Sequence, residues 1–259
     1  MMQIHVFASG SGGNCLVVDD NDTKIMIDAG ISRRRTEQAL AGLGYTMGDI
    51  GGVLITHEHS DHISGLESIV RAWATPVYAP HTIANKLRGM FPALEEALRI
   101  VPVDEPFRIG ALQIRAFHTS HDTDESVGYR IEGSARYGHA TDTGTVTPGM
   151  RQMLTGCDTV LLESNHDEQM LRDGPYPFYL KKRILSERGH LSNAACAAFA
   201  RELAESGTRR IVLGHLSKEN NTPARAMAET GRALLGTGTE LCCAPVLGCL
   251  TMEVEAKGC

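Results

Sequence analysis

The order of strand-like and helix-like segments predicts an α+β fold in which two mixed β-sheets pack face to face, with helices outside in four layers. Strand patterns dominate the first part of the chain and return after residue 100, and helical patterns follow them each time. The 259 residues are 42% hydrophobic and 22% charged, which is typical of a globular protein with a large buried core. No linker-like segment or short repeat divides the sequence, so we expect a single domain over residues 1–259.

Short apolar runs bounded by glycine, proline or polar clusters predict the strands. They cover residues 3–9, 15–20, 23–30, 50–62 (where the strand runs into a polar loop), 75–80, 101–110, 112–122, 126–133, 135–144, 158–167 and 209–217, and residues 240–254 predict a closing hairpin. Helical patterns cover residues 31–44, 63–74, 81–90, 92–99, 147–154, 192–207 and 223–235, with Ser32 as the predicted cap of the first helix.

Charge and cysteine content narrow the class of protein. The formal net charge of −6 argues against binding nucleic acid through bulk positive charge, but it allows a few local phosphate contacts. The chain has no run of about 18 apolar residues, and its first residues lack the pattern of a signal peptide, so we expect no membrane segment. Seven cysteines, an odd number without a CxxC pair, predict a reduced chain in the cytoplasm.

The strongest chemical signal is the segment THEHSDH, which directly follows an apolar strand. Two histidines at positions i and i+2 can point to one metal ion, and the following aspartate and histidine can face a second ion about 3.5–4 Å away. A solvated polar loop is the alternative, and four potential ligands within six residues argue against it. The predicted ligands are His57, His59, Asp61 and His62.

Two ions need further ligands, and the later chain offers them where predicted strands end. These candidates are His121 in HTSHD, Asp142 in ATDTG and His215 in LGHLS. Each of them alone is also compatible with an exposed turn residue, but together with the first motif they form a set. His166 in SNHD is the alternative to His215.

The segments MIDAG, THEHSDH, ATDTG and GHLS, together with His121, resemble the successive motifs of the metallo-β-lactamase fold, in order and over most of the chain. The segments ASGSGGN, IDAG, ESNHD, YPFYLKKRILSERGHLSN and GHLSKENN resemble a narrower group, the WalJ/YycJ family. That family is a bacterial branch of the fold described as exonucleases that act 5′ to 3′ on double-stranded DNA. The long block that begins at Tyr176 is the specific part of the resemblance.

The resemblance implies two divalent metal ions, and imidazole with carboxylate ligands suits Zn²⁺ or Mn²⁺. In the implied arrangement His57, His59 and His121 hold one ion, Asp61, His62 and His215 hold the other, and Asp142 bridges them. The phosphodiesterase branch of the fold favours His215 over His166 as the last ligand. Asp28 precedes the ligands, and we interpret it as a residue that fixes the loop carrying the histidines.

Three further assignments concern the steps around the metal ions. A comparable histidine in ribonuclease Z is paired with a glutamate, which implies a relay between Glu163 and His190 that protonates the leaving oxygen; a polar loop that caps a helix is the alternative. Asp61 is expected to orient the attacking water. The basic run Lys181, Lys182 and Arg183 is predicted to bind substrate phosphates.

Two other polar segments have simpler interpretations. The run Arg33–Arg35 is expected to be a solvated helix face. The segment Ser9–Asn14 imitates part of a dinucleotide fingerprint, but a strand follows it instead of a helix, so it predicts a turn that lines the site. The cysteines lack the flanking pattern of a nucleophile.

The sequence therefore predicts a binuclear metal-dependent phosphodiesterase, with a DNA exonuclease as the first interpretation and a metal-bridging hydroxide as nucleophile. A small-molecule hydrolase of the same fold is the alternative: a cyclic-nucleotide or other nucleotide phosphodiesterase, or a thioesterase like glyoxalase II. A metal-binding regulator without catalysis is a third class. Only 72 residues separate Asp142 from His215, so we expect no inserted domain like that of ribonuclease J enzymes.

Overall fold

The computed structural model describes residues 1–256, and the chain forms two compact units. The first unit comprises Met1–Ala116, Ile131–Ser134 and Pro245–Val254. The second comprises Phe117–Arg130 and Ala135–Ala244, with the described residues that follow Val254. No helix in the described part of the chain is both long and apolar enough to span a membrane. That the whole chain is a single domain stays a prediction.

One seven-stranded sheet has the order β14-β1-β2-β3-β4-β5-β6. Its strands are β1 (Met2–Ala8), β2 (Cys15–Asp20), β3 (Thr23–Ile27), β4 (Ile50–Leu54), β5 (Val77–Ala79), β6 (Leu98–Ile100) and β14 (Leu250–Val254). The pairs from β14 to β3 are antiparallel, and those from β3 to β6 are parallel. β2 is buried along its whole length, including Asp19 and Asp20 at its end.

Four helices belong to the first unit: α1 (Arg33–Gly42), α2 (Ser60–Ile63), α3 (Leu66–Trp73) and α4 (His81–Met90). Ser32 is the N-cap of α1 as predicted, but its side chain makes no capping hydrogen bond. The helix predicted over residues 92–99 is wrong beyond a single 3₁₀ turn at Pro92–Leu94. Leu98–Ile100 pairs with β5 instead, since the buried Leu98 side chain gains more from the sheet than from a short polar helix.

The other seven-stranded sheet has the order β13-β12-β11-β10-β9-β8-β7. Its strands are β7 (Pro106–Ile109), β8 (Leu112–His118), β9 (Val127–Glu132), β10 (Arg136–Ala140), β11 (Thr159–Glu163), β12 (Arg210–Gly214) and β13 (Glu240–Cys243). β7 and β8 form an antiparallel pair, and β10 to β13 run parallel. The predicted α+β class with two mixed sheets is confirmed.

The second unit contains α5 (Pro148–Leu154), α6 (Glu168–Asp173), α7 (Phe178–Ile184), α8 (Asn193–Glu205) and α9 (Pro223–Ala233). The side chains of Thr147, Asp167, Ser192 and Thr222 each accept a hydrogen bond from the backbone in the first turn of α5, α6, α8 and α9, respectively. The sequence did not predict α6 or α7. The closing hairpin is wrong, because β13 pairs with β12 in one sheet and β14 pairs with β1 in the other.

Candidate metal-binding clusters

The segment after β4 gathers its histidines within the first unit. The ring of His57 lies 4.6 Å from that of His59 and 4.1 Å from that of His62. His57 and His62 are buried, and the Asp61 carboxylate reaches within 3.6 Å of His62 Nε2. The turn into α2 brings His62 back beside His57, and the Asp61 carboxylate lies next to His62. Three imidazoles and one carboxylate therefore lie close together in this segment.

Asp28 holds this segment from the end of β3. Its carboxylate accepts hydrogen bonds from the Thr56 backbone N–H at 2.9 Å and from the Thr56 hydroxyl at 2.9 Å and 3.1 Å. The same carboxylate lies 2.7 Å from Nδ1 of His62. A carboxylate that accepts from Nδ1 leaves Nε2 as the acceptor nitrogen, which is the form a metal ligand needs, so the contact of Asp28 is compatible with its predicted orienting role.

The turn between β1 and β2 packs against the same segment. The Asn14 backbone N–H donates to the Asp61 carbonyl oxygen at 2.7 Å, and the Asn14 amide lies 3.0 Å from His62 Nε2. Gly30 approaches so closely that a Cβ there would overlap the Asp61 carbonyl oxygen. Sequence reasoning assigned the turn to the site without a role for Asn14. An asparagine in a turn signals bonding within that turn, as from the Gly10 N–H to Asn14 Oδ1 at 2.9 Å, and not contact with a distant histidine.

Three residues with positive φ mark the ends of strands. Asp28, Asp142 and His215 have φ values of 58°, 55° and 55° and follow β3, β10 and β12, respectively. The left-handed region is costly for residues with a Cβ and is common at functional sites. In each case the strand end turns sharply and presents a potential ligand.

The second unit gathers its own cluster around Glu163, the last residue of β11. The Glu163 Oε1 atom lies 2.7 Å from His190 Nδ1 and 2.9 Å from His215 Nδ1. Its Oε2 atom accepts from the backbone N–H of Thr143 at 2.8 Å. Asp142 Oδ1 is 3.6 Å from His215 Nε2 and 3.8 Å from His190 Nδ1. One buried carboxylate therefore fixes two imidazoles beside a second carboxylate.

His121 belongs to the same cluster. Its Nδ1 atom lies 3.1 Å from the Gly189 carbonyl oxygen, and its Nε2 atom is 3.7 Å from Asp142 Oδ1. The guanidinium of Arg188 donates to the carbonyl oxygens of His121 at 2.8 Å and Thr123 at 2.5 Å. Sequence reasoning missed Arg188, which holds the loop of His121, because an arginine that binds carbonyl groups carries no motif.

Burial and neighbouring charges shift the pKa values of the titratable groups in opposite directions. Burial by itself would lower the pKa of His190, but the carboxylates of Glu163 and Asp142 outweigh it and raise that pKa. Burial would raise the pKa of Glu163, but the charge of His190 and the hydrogen bonds from His190 and His215 lower it. The pKa of His190 is therefore shifted upward, which is the direction that a proton donor requires.

His166, the alternative ligand, has a different environment. It is buried, and neither ring nitrogen has a hydrogen-bond partner within residues 1–256. Burial lowers the pKa of His166 to about 4, so the ring is neutral. Four donor atoms, one each from Asp142, Glu163, His190 and His215, lie within 4.8 Å of one another. His166 lies outside this group, and the geometry favours His215.

The basic run behaves less uniformly than the sequence suggested. Lys181 donates to the Arg172 carbonyl oxygen at 2.7 Å, and Arg183 pairs with Asp122 at 3.3 Å. Lys182 is exposed, and its ammonium forms no hydrogen bond or ion pair within the described part of the chain. Two of the three cations therefore contact other parts of the protein, and the predicted binding of phosphates by this run stays a prediction.

The donor chemistry of these clusters fits divalent metal ions. Imidazoles held through Nδ1 by a carboxylate occur in both units, at His62 and at His215. Asp61 and Asp142 supply the carboxylates that Zn²⁺ and Mn²⁺ accept beside histidine. Among residues 1–256 no cysteine belongs to these donor groups. Burial raises the pKa of the Cys15 and Cys196 thiols to about 12.

Comparison with known proteins gives this chemistry a family. Residues 23–216 match the family described as the β-lactamase superfamily domain. The chain is 35% identical over 242 residues to Exodeoxyribonuclease YycJ of Bacillus anthracis, covering 90% of this chain and 89% of that protein. It is 34% identical over 245 residues to Exodeoxyribonuclease WalJ of Streptococcus pneumoniae, covering 91% and 90%.

Solved structures agree with this fold. The metallo-β-lactamase fold protein YhfI from Bacillus subtilis superposes with a TM-score of 0.74 at 17% identity, covering 98% of this chain and 100% of that chain. The short form of human tRNase Z gives 0.67 at 16%, with the same coverage. Fold and donor clusters together define a metal-dependent hydrolase. The chain belongs to the β-lactamase superfamily and, within it, to the WalJ/YycJ family.

Proposed function

We propose that the protein is a two-metal phosphodiesterase that removes nucleotides from the end of a DNA strand. The observation that carries this proposal is the 35% identity, over 90% of the chain, to a protein named Exodeoxyribonuclease YycJ. The proposed metal ligands are those implied by the resemblance: His57, His59, Asp61, His62, His121, Asp142 and His215.

When bound, two divalent cations lower the pKa of an attacking water and neutralise the scissile phosphate. The residues of the chain supply orientation and proton transfer. Asp61 orients the water, and the carboxylates of Asp28 and Glu163 hold His62 and His215 through Nδ1. These contacts fix the rings before substrate arrives, so little reorganisation is needed during the reaction.

His190 donates the proton that the leaving oxygen requires. Its contact with Glu163 at 2.7 Å and the raised pKa support this role. The buried Glu163 carboxylate stabilises the charged imidazole before transfer and keeps the ring oriented afterwards. The assignment of His190, Glu163 and Asp61 as the catalytic groups stays a prediction until variants are measured.

An assay on three substrates tests the proposed function. Purified protein with Zn²⁺ or Mn²⁺ is given end-labelled duplex DNA, bis-p-nitrophenyl phosphate and a thioester. We expect nucleotide release from DNA and slower hydrolysis of the phosphate diester, both abolished by EDTA and restored by the metal. Rapid thioester hydrolysis, or diester hydrolysis without any cleavage of DNA, would replace the exonuclease by a small-molecule hydrolase.

A further inference from the structure

Helix α7 exposes more apolar surface than any folding requirement explains. Phe178 is 80% exposed and Tyr179 is 75% exposed, and Leu185 just beyond the helix is 45% exposed. Adjacent exposed aromatic side chains are uncommon on a protein surface that binds nothing. The helix packs against the protein through the buried Ile184, so packing does not account for the exposed rings of Phe178 and Tyr179.

Cations share the surface with the aromatic ring of Phe178. A groove of about 670 Å³ runs along one face of the helix, because its lining residues on α7 recur at the helical spacing of three and four. Three of the lining residues are cationic and none is acidic. The groove is lined by Arg172, Phe178, Lys181, Lys182, Leu185 and Ser186.

The helix is fixed to the proposed catalytic cluster of the second unit. The backbone N–H of His190 donates to the Ile184 carbonyl oxygen at 3.0 Å, at the end of the helix. Arg183 pairs with Asp122, whose carboxylate lies 3.1 Å from His121 Nε2. Gly189 completes the connection, since a Cβ there would overlap the carbonyl oxygens of Arg183 and Ile184.

We propose that this face of α7 is a stacking surface for unpaired nucleotides at the end of a DNA strand. The ring of Phe178 stacks on a base, and Lys182 binds the phosphate beside that base. Aromatic rings beside cations are the chemistry that holds single-stranded nucleic acid without reading its sequence. The proposal rests on the proposed function and adds to it the part of the substrate that the protein holds.

The charges favour nucleic acid over a second copy of the chain. A chain with a net charge of −6 presents a locally cationic groove here, and cations beside an aromatic ring match a phosphate and a base. A dimer interface built on Phe178 would bury the unpartnered ammonium of Lys182, which is costly without a carboxylate opposite. A second copy is therefore an outcome of the test rather than the proposal.

The test compares two duplexes with a short unpaired end, one carrying normal bases there and one carrying abasic nucleotides. We expect Phe178→Ala to raise KM on the normal end on the order of 10-fold, the typical loss of one stacked base. On the abasic end, which keeps its phosphates, KM of the variant should equal that of the wild type. Phe178→Tyr keeps the ring and should keep the wild-type KM on both.

Two controls separate stacking from general damage. Leu235→Ala removes another exposed apolar side chain, 73% exposed and outside α7, and should change neither substrate. Hydrolysis of bis-p-nitrophenyl phosphate should be unchanged in all variants. An equal rise in KM on normal and abasic ends would overturn the proposal, as would a change from dimer to monomer in Phe178→Ala on size exclusion.

Binding provides a readout that does not depend on cleavage. The anisotropy of fluorescent duplexes with each kind of end is measured in EDTA, for the wild type and for Phe178→Ala. A wild type that binds the normal end more tightly but does not cut DNA would refute the proposed function and retain the stacking surface. Efficient cleavage with no preference for the normal end would refute the stacking surface and retain the function.

Discussion

Two buried carboxylates perform related tasks in the two units and differ in what surrounds them. Asp28 bonds one imidazole, that of His62, and one threonine. Glu163 bonds two imidazoles, those of His190 and His215. Burial raises the pKa of Asp28, and its hydrogen bonds offset this only in part. The pKa of Glu163 is instead lowered, because the charge of His190 and the hydrogen bonds outweigh burial.

We infer that Asp28 orients a metal ligand, whereas Glu163 also stabilises a proton. Asp28 organises a loop, since its contacts run to the backbone and hydroxyl of Thr56 as well as to His62. Glu163 stabilises positive charge on His190, whose pKa it raises. Removing the charge of Asp28 and removing the charge of Glu163 should therefore have different effects on activity.

The largest effect is expected when a proposed metal ligand is removed. Replacing Asp142, a proposed ligand, by alanine should remove at least one metal ion per chain and lower activity on the order of 10³-fold or more, because transition-state charge then lacks its cation. Metal analysis of protein purified without chelator, together with the rate on duplex DNA, measures both. Full metal content with full activity would refute the ligand assignment.

The second-largest effect distinguishes His215 from His166, the two candidates for the last metal ligand. His215→Ala should empty one metal position and abolish most activity. His166→Ala should leave the metal content intact and lower thermal stability, because it removes a buried ring and leaves a cavity. If His166→Ala loses metal and His215→Ala keeps it, the assignment is reversed.

The third-largest effect is expected for the two buried carboxylates that hold imidazoles. Asp28→Asn and Glu163→Gln should each cost about 10–100-fold in metal affinity or activity, as is typical of residues that orient ligands. Only Glu163→Gln should change the pH profile. Activity requires protonated His190 and falls as pH rises through its pKa, and loss of the Glu163 charge lowers that pKa. The alkaline decline should therefore begin at lower pH in Glu163→Gln than in Asp28→Asn.

An identical shift of the alkaline decline in both variants would mean that the profile reports metal-bound groups rather than His190. No shift in either variant would remove His190 as the proton donor. His190→Ala provides the matched control, because a variant without the ring should lack the decline that Glu163 controls.

Motif spacing predicted which polar residues lie together in each unit better than it predicted the contacts around them. A short run such as THEHSDH is local, and the turn at α2 brings its ends together without help from distant chain. The pairing of Glu163 with His190 was also expected, from resemblance to ribonuclease Z. The contacts of Asn14 and Arg188 were not, since they join segments far apart in sequence through backbone carbonyls and an amide.

For the fold as well, local sequence patterns predicted single elements but not the contacts between distant ones. Most strands and helices follow from apolar runs and caps, and the α+β class follows from their order. The strand partners of β13 and β14 do not, because a strand pattern says nothing about which edge of which sheet it joins. Helix α7 escaped prediction because it is short and exposes Phe178 and Tyr179, so its pattern lacks a continuous buried stripe.

The smallest effect compares two exposed cations on helices of different units. Lys182 and Arg34 each form no ion pair within residues 1–256. If Lys182 binds a phosphate of the unpaired strand, Lys182→Ala should weaken DNA binding about fourfold near 0.15 M salt and reduce the salt slope by about 0.7, because one fewer counterion is displaced from single-stranded DNA. Arg34→Ala should change neither quantity. Anisotropy titrations over a range of salt concentrations measure both, and equal losses in the two variants would indicate bulk charge rather than a phosphate contact at α7.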